Sequence, residues 1–209
     1  MPKDSELEII DIKAFYHCPI ESITISPHVT KINRQAFSSC LNLKKIFLMP
    51  NSRLQTIESD AFNSSPVEYI EIPSSILQLN EGWCCGTLKL RKVKIIQNEE
   101  QNIICYDNKF ILGKSDPENE IFDILYFARR DITDAVIPSF IKKISSYAFN
   151  GCKELNTVEL PENSELQIID TYAFISSAIK KISIPSSVIE LKKRCFSCCC
   201  NLEQVEFQP

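Results

Sequence analysis

Ten cysteines are the residues in this 209-residue chain best able to do chemistry, and only two histidines accompany them. Four of the ten crowd into Cys195-Phe-Ser-Cys198-Cys199-Cys200, a string that contains a Cys-x-x-Cys spacing. A structural zinc site needs four ligands at suitable spacing. No second pair stands near this one, and His17 and His28 lie towards the other end of the chain. A nucleophilic thiol needs a base or a positive environment to make it a thiolate, and no histidine neighbours any of these cysteines in sequence. Cys18, Cys40, Cys152 and Cys199 each follow an aromatic by three residues, where Ser65 and Ser177 stand in equivalent segments. A place shared with serine reads as a small-residue packing slot, since a buried free cysteine behaves as a small hydrophobe. Cys195 takes the place of an alanine, again a packing slot. The histidines read as surface residues near turns. The carboxylates are scattered, with no pair set apart as acid and base. Four glycines are too few for a phosphate-cradling loop. The expectation is therefore no catalytic, cofactor-binding or metal-binding residue, and a protein that is not an enzyme.

Composition narrows the rest. With 44% hydrophobic and 24% charged residues the chain has the balance of a folded protein, not a disordered one. A net charge of -4 argues against a nucleic-acid binder driven by bulk positive charge. No apolar run is long enough for a membrane-spanning helix, so no membrane insertion is expected. The opening Met-Pro-Lys-Asp-Ser-Glu lacks the apolar stretch of a secretory leader. Cysteines without a leader point to reduced thiols in the cytoplasm.

The elements that must position these residues emerge from self-comparison. The segments IKAFYHC, RQAFSSC, SDAFNSS, SYAFNGC, TYAFISS and KRCFSCC align on Phe15, Phe37, Phe62, Phe149, Phe174 and Phe196, and Trp83 in NEGWCCG fills the same slot. Apart from one long gap the spacing is 21–25 residues. After each aromatic comes apolar-x-x-apolar-x-apolar, usually with proline behind it, as in LKKIFLMP (43–50), VEYIEIP (67–73) and IKKISIP (179–185). A third apolar cluster follows, as in VTKI (29–32) and LQTI (54–57). Such a period with three apolar clusters is the signature of a leucine-rich-repeat solenoid. Apolar residues two apart share one face of a strand, and one strand cannot bury that face alone. Strands are expected at 22–25, 45–48, 69–72, 92–95, 157–160, 181–184 and 204–207, with the repeat phenylalanines buried and stacked. Asp11, Asn33, Ser145 and Asp170, three residues before the Ala-Phe pairs, have the side chains of helix N-caps and predict a short helical turn at each.

The string IPSSVIELKKRCFSCCCNLEQVEF and its sisters resemble BspA-like leucine-rich repeats, over residues 7–95 and 137–209 and in about seven copies. The family often has glycine where this chain has Asn33, Glu58, Ser145, Asp170 and Lys192, a departure that predicts a more helical local turn. The resemblance implies a parallel β-sheet solenoid and an interaction scaffold, not a reaction. Many members are surface or adhesion proteins.

The domain organisation is expected to be one continuous solenoid. A first repeat block covers 1–95, an irregular β insertion 96–136, and a second repeat block 137–209. Within the insertion, Asp107-Asn108 between apolar runs reads as a hairpin turn, and SDPENE reads as an exposed loop.

Residues flanking the inner apolar position of each strand point away from the core. They form the pairs Ser22/Thr24, Lys45/Phe47, Tyr69/Glu71, Lys92/Lys94, Thr157/Glu159, Lys181/Ser183 and Gln204/Glu206. Phe47 and Tyr69 fall on adjacent strands, either as binding anchors or as a cross-strand pair that steadies the sheet. Phe47, Tyr69, Lys92 and Lys94 are the candidate protein-binding residues of this face. Leu202, Val205 and Phe207 are a second candidate contact, because the last strand is expected to leave an open apolar edge. Two functional readings follow. One is a cytoplasmic protein-protein interaction or structural scaffold module, including a cytoskeletal or other large assembly. The other is a cell-surface adhesin or recognition protein.

Overall fold

Proline-terminated strands that recur every 22–25 residues can only stack side by side. In the computed structural model they do so in two units, the first ending at Ile104 and the second running Cys105–Pro209; residues 5–209 are described. In the first unit short strands alternate along the chain with longer ones. The short set is β1 (Ile9–Ile10), β3 (Lys31–Ile32), β5 (Thr56–Ile57) and β7 (Gln78–Leu79), paired in that order. The long set is β2 (Ser22–Ile25), β4 (Lys45–Leu48), β6 (Tyr69–Pro73) and β8 (Lys92–Ile96), also paired in order. All these pairs are parallel, and Ser22, Lys45, Tyr69 and Lys92 sit in one register row. Ile46, Ile70, Ile32 and Ile57 are buried between the two sheets' inner faces.

The second unit repeats the plan from an antiparallel start. Strand β9 (Ile103–Tyr106) falls on the division between the units. At Asp107-Asn108 both residues have positive φ, 49° and 50°, and Lys109 N–H donates to Tyr106 O at 3.0 Å. This is the hairpin turn expected there, in the form that demands φ > 0 at both centres. Strand β10 (Phe110–Gly113) pairs antiparallel with β11 (Ile124–Ala128), and SDPENE between them is exposed. Strand β11 then opens a parallel set with β13 (Lys143–Ile144), β15 (Ile168–Ile169) and β17 (Glu190–Leu191). The long set is β12 (Asp134–Val136), β14 (Thr157–Glu159), β16 (Lys181–Ile184) and β18 (Gln204–Phe207). All the expected strands are present. Strand β12 is an addition, whose signal was the apolar spacing of Ile132, Ala135 and Ile137 ahead of Pro138.

The phenylalanines stack as expected, with corrections. Ring centroids are 5.0 Å apart for Phe15–Phe37, 5.8 Å for Phe37–Phe62, 4.6 Å for Phe149–Phe174 and 5.2 Å for Phe174–Phe196. Phe37, Phe62, Phe149 and Phe174 are fully buried, whereas Phe15 and Phe196, outermost in their stacks, are only half-buried.

The expected helical turns are absent among the described residues. Each Ala-Phe pair lies on consecutive tight turns instead, for example Ala36 N–H to Asn33 O and Ser38 N–H to Gln35 O, both 3.1 Å. The residue two before each repeat phenylalanine, from Lys13 to Arg194, has φ of 56–61°, and the residue two after it has φ of 56–66°. A right-handed helix cannot pass through a left-handed residue, so two of them four apart hold the segment as turns. Asp11 and Asp170 therefore do not cap helices. Each accepts the next residue's N–H at 2.7 Å, and Asp11 also accepts Asn33 Nδ2 at 2.8 Å from the adjoining repeat.

Trp83 is not in the phenylalanine slot. Its N–H donates to Asn80 O, the bond that Ala36 and Ala61 make to Asn33 and Glu58, while Thr87 N–H donates to Cys84 O as Ser65 does to Phe62. Tryptophan thus takes the alanine place and Cys84 the phenylalanine place, a large-small exchange with both residues buried. The positive-φ positions become Gly82 and Gly86. A Cβ at Gly86 would meet Asn63 Oδ1 at 2.5 Å and Ser64 N at 2.7 Å, so only glycine fits there.

Candidate functional site

The outer face of the long sheet in the first unit brings Phe47, Tyr69, Lys92 and Lys94 together. Strand register sets Lys45 beside Tyr69 and Tyr69 beside Lys92, with Glu71 opposite Lys94. The Phe47 and Tyr69 rings are 5.5 Å apart and tilted by 45°. Lys92 Nζ lies 5.8 Å from the Tyr69 ring centre, a cation-π contact. Both aromatics are half-buried, and both lysines are exposed.

Glu71 organises this group, although the alternation of the strand makes it an exposed residue. It is only 8% exposed. The pairing of β4 with β6 runs over Lys45–Tyr69 and Ile46–Ile70 and then ceases. Where the strands part, the Glu71 side chain enters: Oε2 accepts Leu48 N–H at 2.9 Å, and Oε1 accepts Tyr69 O–H at 2.8 Å. Lys94 Nζ completes the set, 3.2 Å from Oε1. Burial alone would push the Glu71 carboxyl up, but the Leu48 amide, Tyr69 and Lys94 outweigh it and hold the carboxyl below its ordinary value. The same contacts act on the phenol: burial first, then the Glu71 carboxylate, push Tyr69 up to about 12. Tyr69 is thus a fixed neutral aromatic. The period-2 pattern could not show this, because Glu71 is buried by strand separation and not by its place in the alternation.

On the last long strand, Leu202 is half-buried, Val205 is exposed, and Phe207 is 70% exposed. The second unit's β18 pairs with β16 on one side, at the end of its sheet order.

The cysteine slot is more than packing. Ser65 Oγ donates to Phe37 O at 2.6 Å and accepts Cys40 N–H at 2.9 Å. Cys40 Sγ contacts Phe15 O at 2.9 Å, and Cys199 Sγ contacts Phe174 O at 3.0 Å. Serine and cysteine interchange there because each donates to the phenylalanine carbonyl of the preceding repeat. Burial pushes the Cys40, Cys195 and Cys199 thiols up, away from thiolate character. Among the described residues no three His, Cys, Asp or Glu side chains are grouped to hold a metal ion. No helix is long and apolar enough to cross a membrane.

Two units of stacked parallel strands, with small hydrogen-bonding residues and phenylalanines at fixed repeat positions, define a leucine-rich-repeat β-solenoid. The BspA type leucine rich repeat region matches in six copies over residues 3–108 and 120–209. The chain belongs to that family. No curated protein sequence matches it. Among solved structures it is similar to the pneumococcal vaccine antigen PcpA, with 21% identity and a TM-score of 0.78 over 99% of this chain and 55% of that one. A leucine-rich-repeat protein from Eubacterium ventriosum has 21% identity and a TM-score of 0.74 over 94% of this chain and 57% of that one. A leucine rich cell surface protein from Faecalibacterium prausnitzii has 21% identity and a TM-score of 0.64 over 95% and 63%. The chain spans little more than half to under two thirds of these proteins' lengths.

Proposed function

We propose that this chain is a non-catalytic protein-recognition module of the cell-surface type, and that Phe47, Tyr69, Lys92 and Lys94 contact its partner. The observation that carries this reading is the Phe47–Tyr69 pair on an open sheet face, held by Glu71 through Tyr69 O–H. Rigid aromatics with cations at their rim are the usual anchors of protein interfaces. Two of the similar structures are an antigen and a cell surface protein by name, which favours display at the surface. Nothing in the comparisons supports the cytoplasmic or cytoskeletal placement that the missing leader suggests. The exposed Val205 and Phe207, with Leu202, serve as a second apolar contact. The continuous arrangement of two repeat blocks around a 96–136 insertion belongs to the same reading.

The test is affinity capture from the native cell surface with the wild-type chain and with a Phe47→Ala, Tyr69→Ala variant. The variant should lose the partner recovered by the wild type while keeping its melting behaviour. Equal recovery would move the contact off this face.

A further inference from the structure

The two long sheets differ at one corresponding place. In the second unit, β14 pairs with β16 only at Thr157–Lys181. Its neighbours pair over three residues (β12 with β14) and four (β16 with β18). Strands β14 and β16 therefore part just where β4 and β6 do in the first unit. There the gap holds the Glu71 side chain, hydrogen-bonded to Leu48 N–H. Here the residue in the Glu71 position is Ser183, too short to reach across. A groove of about 670 Å³ stays open over it, a size that suits a bound side chain or two.

The charges around the gap are also inverted. Phe47 and Lys94 flank Glu71 in the first unit; Glu159 and Glu206 flank Ser183 in the second. Glu162 adds a third carboxylate to the lining and Lys181 is its one cation. Asp134, on the far wall, is already held by Lys109 at 2.8 Å, and Glu206 accepts Gln204 Nε2 at 2.8 Å. Glu159 and Glu206 stand two strands apart, about 10 Å by ordinary strand spacing. Two carboxylates so separated cannot share one divalent ion, whose oxygen ligands must come within about 2.6 Å. They can bracket a long cationic side chain. The floor and walls between them are apolar, from Val136, Leu160 and Ile182, and Val136 is exposed.

We infer that this groove receives a lysine or arginine side chain carried by an extended segment of a partner protein. The cationic head sits over Ser183 between Glu159 and Glu206, and the alternate aliphatic residues of the segment lie on Val136 and Leu160. The site is separate from the Phe47–Tyr69 face, and either can fail without the other.

The test is fluorescence anisotropy of the full chain with labelled, capped pentapeptides: Val-Arg-Val-Lys-Val, its glutamine counterpart Val-Gln-Val-Gln-Val, and Val-Glu-Val-Glu-Val. The basic peptide should bind at least about tenfold more tightly than the glutamine peptide, and the acidic peptide not at all. Glu159→Gln with Glu206→Gln should weaken it about tenfold. Ser183→Leu, which fills the gap without altering charge, should weaken it as much. Glu203→Gln, an exposed change outside the lining, and Phe47→Ala with Tyr69→Ala should leave binding intact. Equal affinity for the basic and glutamine peptides would overturn the inference. So would an equal effect of Glu203→Gln, or no effect of Ser183→Leu. Sedimentation showing that the chain self-associates and that the groove variants disperse it would overturn it too, by assigning the groove to a second copy.

Discussion

At the residue scale, buried polar side chains decide what the repeats tolerate. Ser65 both donates to Phe37 O and accepts Cys40 N–H. Ser65→Ala leaves two buried backbone groups unpaired and should cost about 1–3 kcal/mol in chemical denaturation. Ser65→Cys keeps the donor, as Cys40 and Cys199 do in the same slot, and should cost clearly less. Equal losses would mean that the slot only packs. Asp170 makes a pH prediction. Its side chain is 1% exposed and lies against Lys143 Nζ at 2.6 Å and Lys192 Nζ at 3.4 Å. Burial pushes its carboxyl up, but Lys143, the Thr171 amide and Lys192 hold it below its ordinary value of 3.8. A carboxyl depressed in the folded state lends stability that is fully present above the unfolded value and is lost as pH falls through the folded one. Asp170→Asn should therefore lower stability by about 1–3 kcal/mol at pH 7, and the gap to wild type should close in melts run below pH 4. A gap that persists there would assign the loss to shape and not charge. The slot was legible in the sequence as a shared Ser/Cys position, but its hydrogen bond was not, because the acceptor belongs to the preceding repeat.

At the scale of elements, the strands were legible and the turns between them were not. Strand positions follow from apolar spacing and the proline behind it, both visible in one dimension. The turns at Asp11, Asn33, Ser145 and Asp170 carry capping residue types, yet left-handed residues such as Gln35 and Ser39 keep a helix from forming. Non-glycine residues hold those conformations, so no glycine marked them. The same blindness shifted Trp83 by one place, since aligning aromatics is not aligning backbones. The large-small exchange of Trp83 and Cys84 can be tested. Trp83→Ala should cost about 3–5 kcal/mol by emptying a buried aromatic site. Adding Cys84→Phe restores the Ala-Phe order of the other repeats and should recover part of that loss, a coupling of more than about 0.5 kcal/mol in a double-mutant cycle. Strict additivity would mean the two side chains do not share one space.

At the scale of the whole molecule, the repeats explain why function resides on faces and not in a pocket of reactive groups. Each repeat fixes its backbone through neighbours, which leaves the outward strand positions free to vary. In one unit those positions carry Phe47, Tyr69, Lys92 and Lys94 around a buried Glu71; in the other they leave a gap over Ser183. The candidate face was read from strand alternation, while its organising carboxylate needed the structure.

The measurement that bears most directly on this account is photo-crosslinking on intact cells, with a photoreactive phenylalanine analogue placed at position 47 and, separately, at the exposed position 153. The account predicts one discrete protein adduct from position 47, lost when Tyr69→Ala is added, and none from position 153. No adduct from position 47, or the same adduct from both positions, would contradict it.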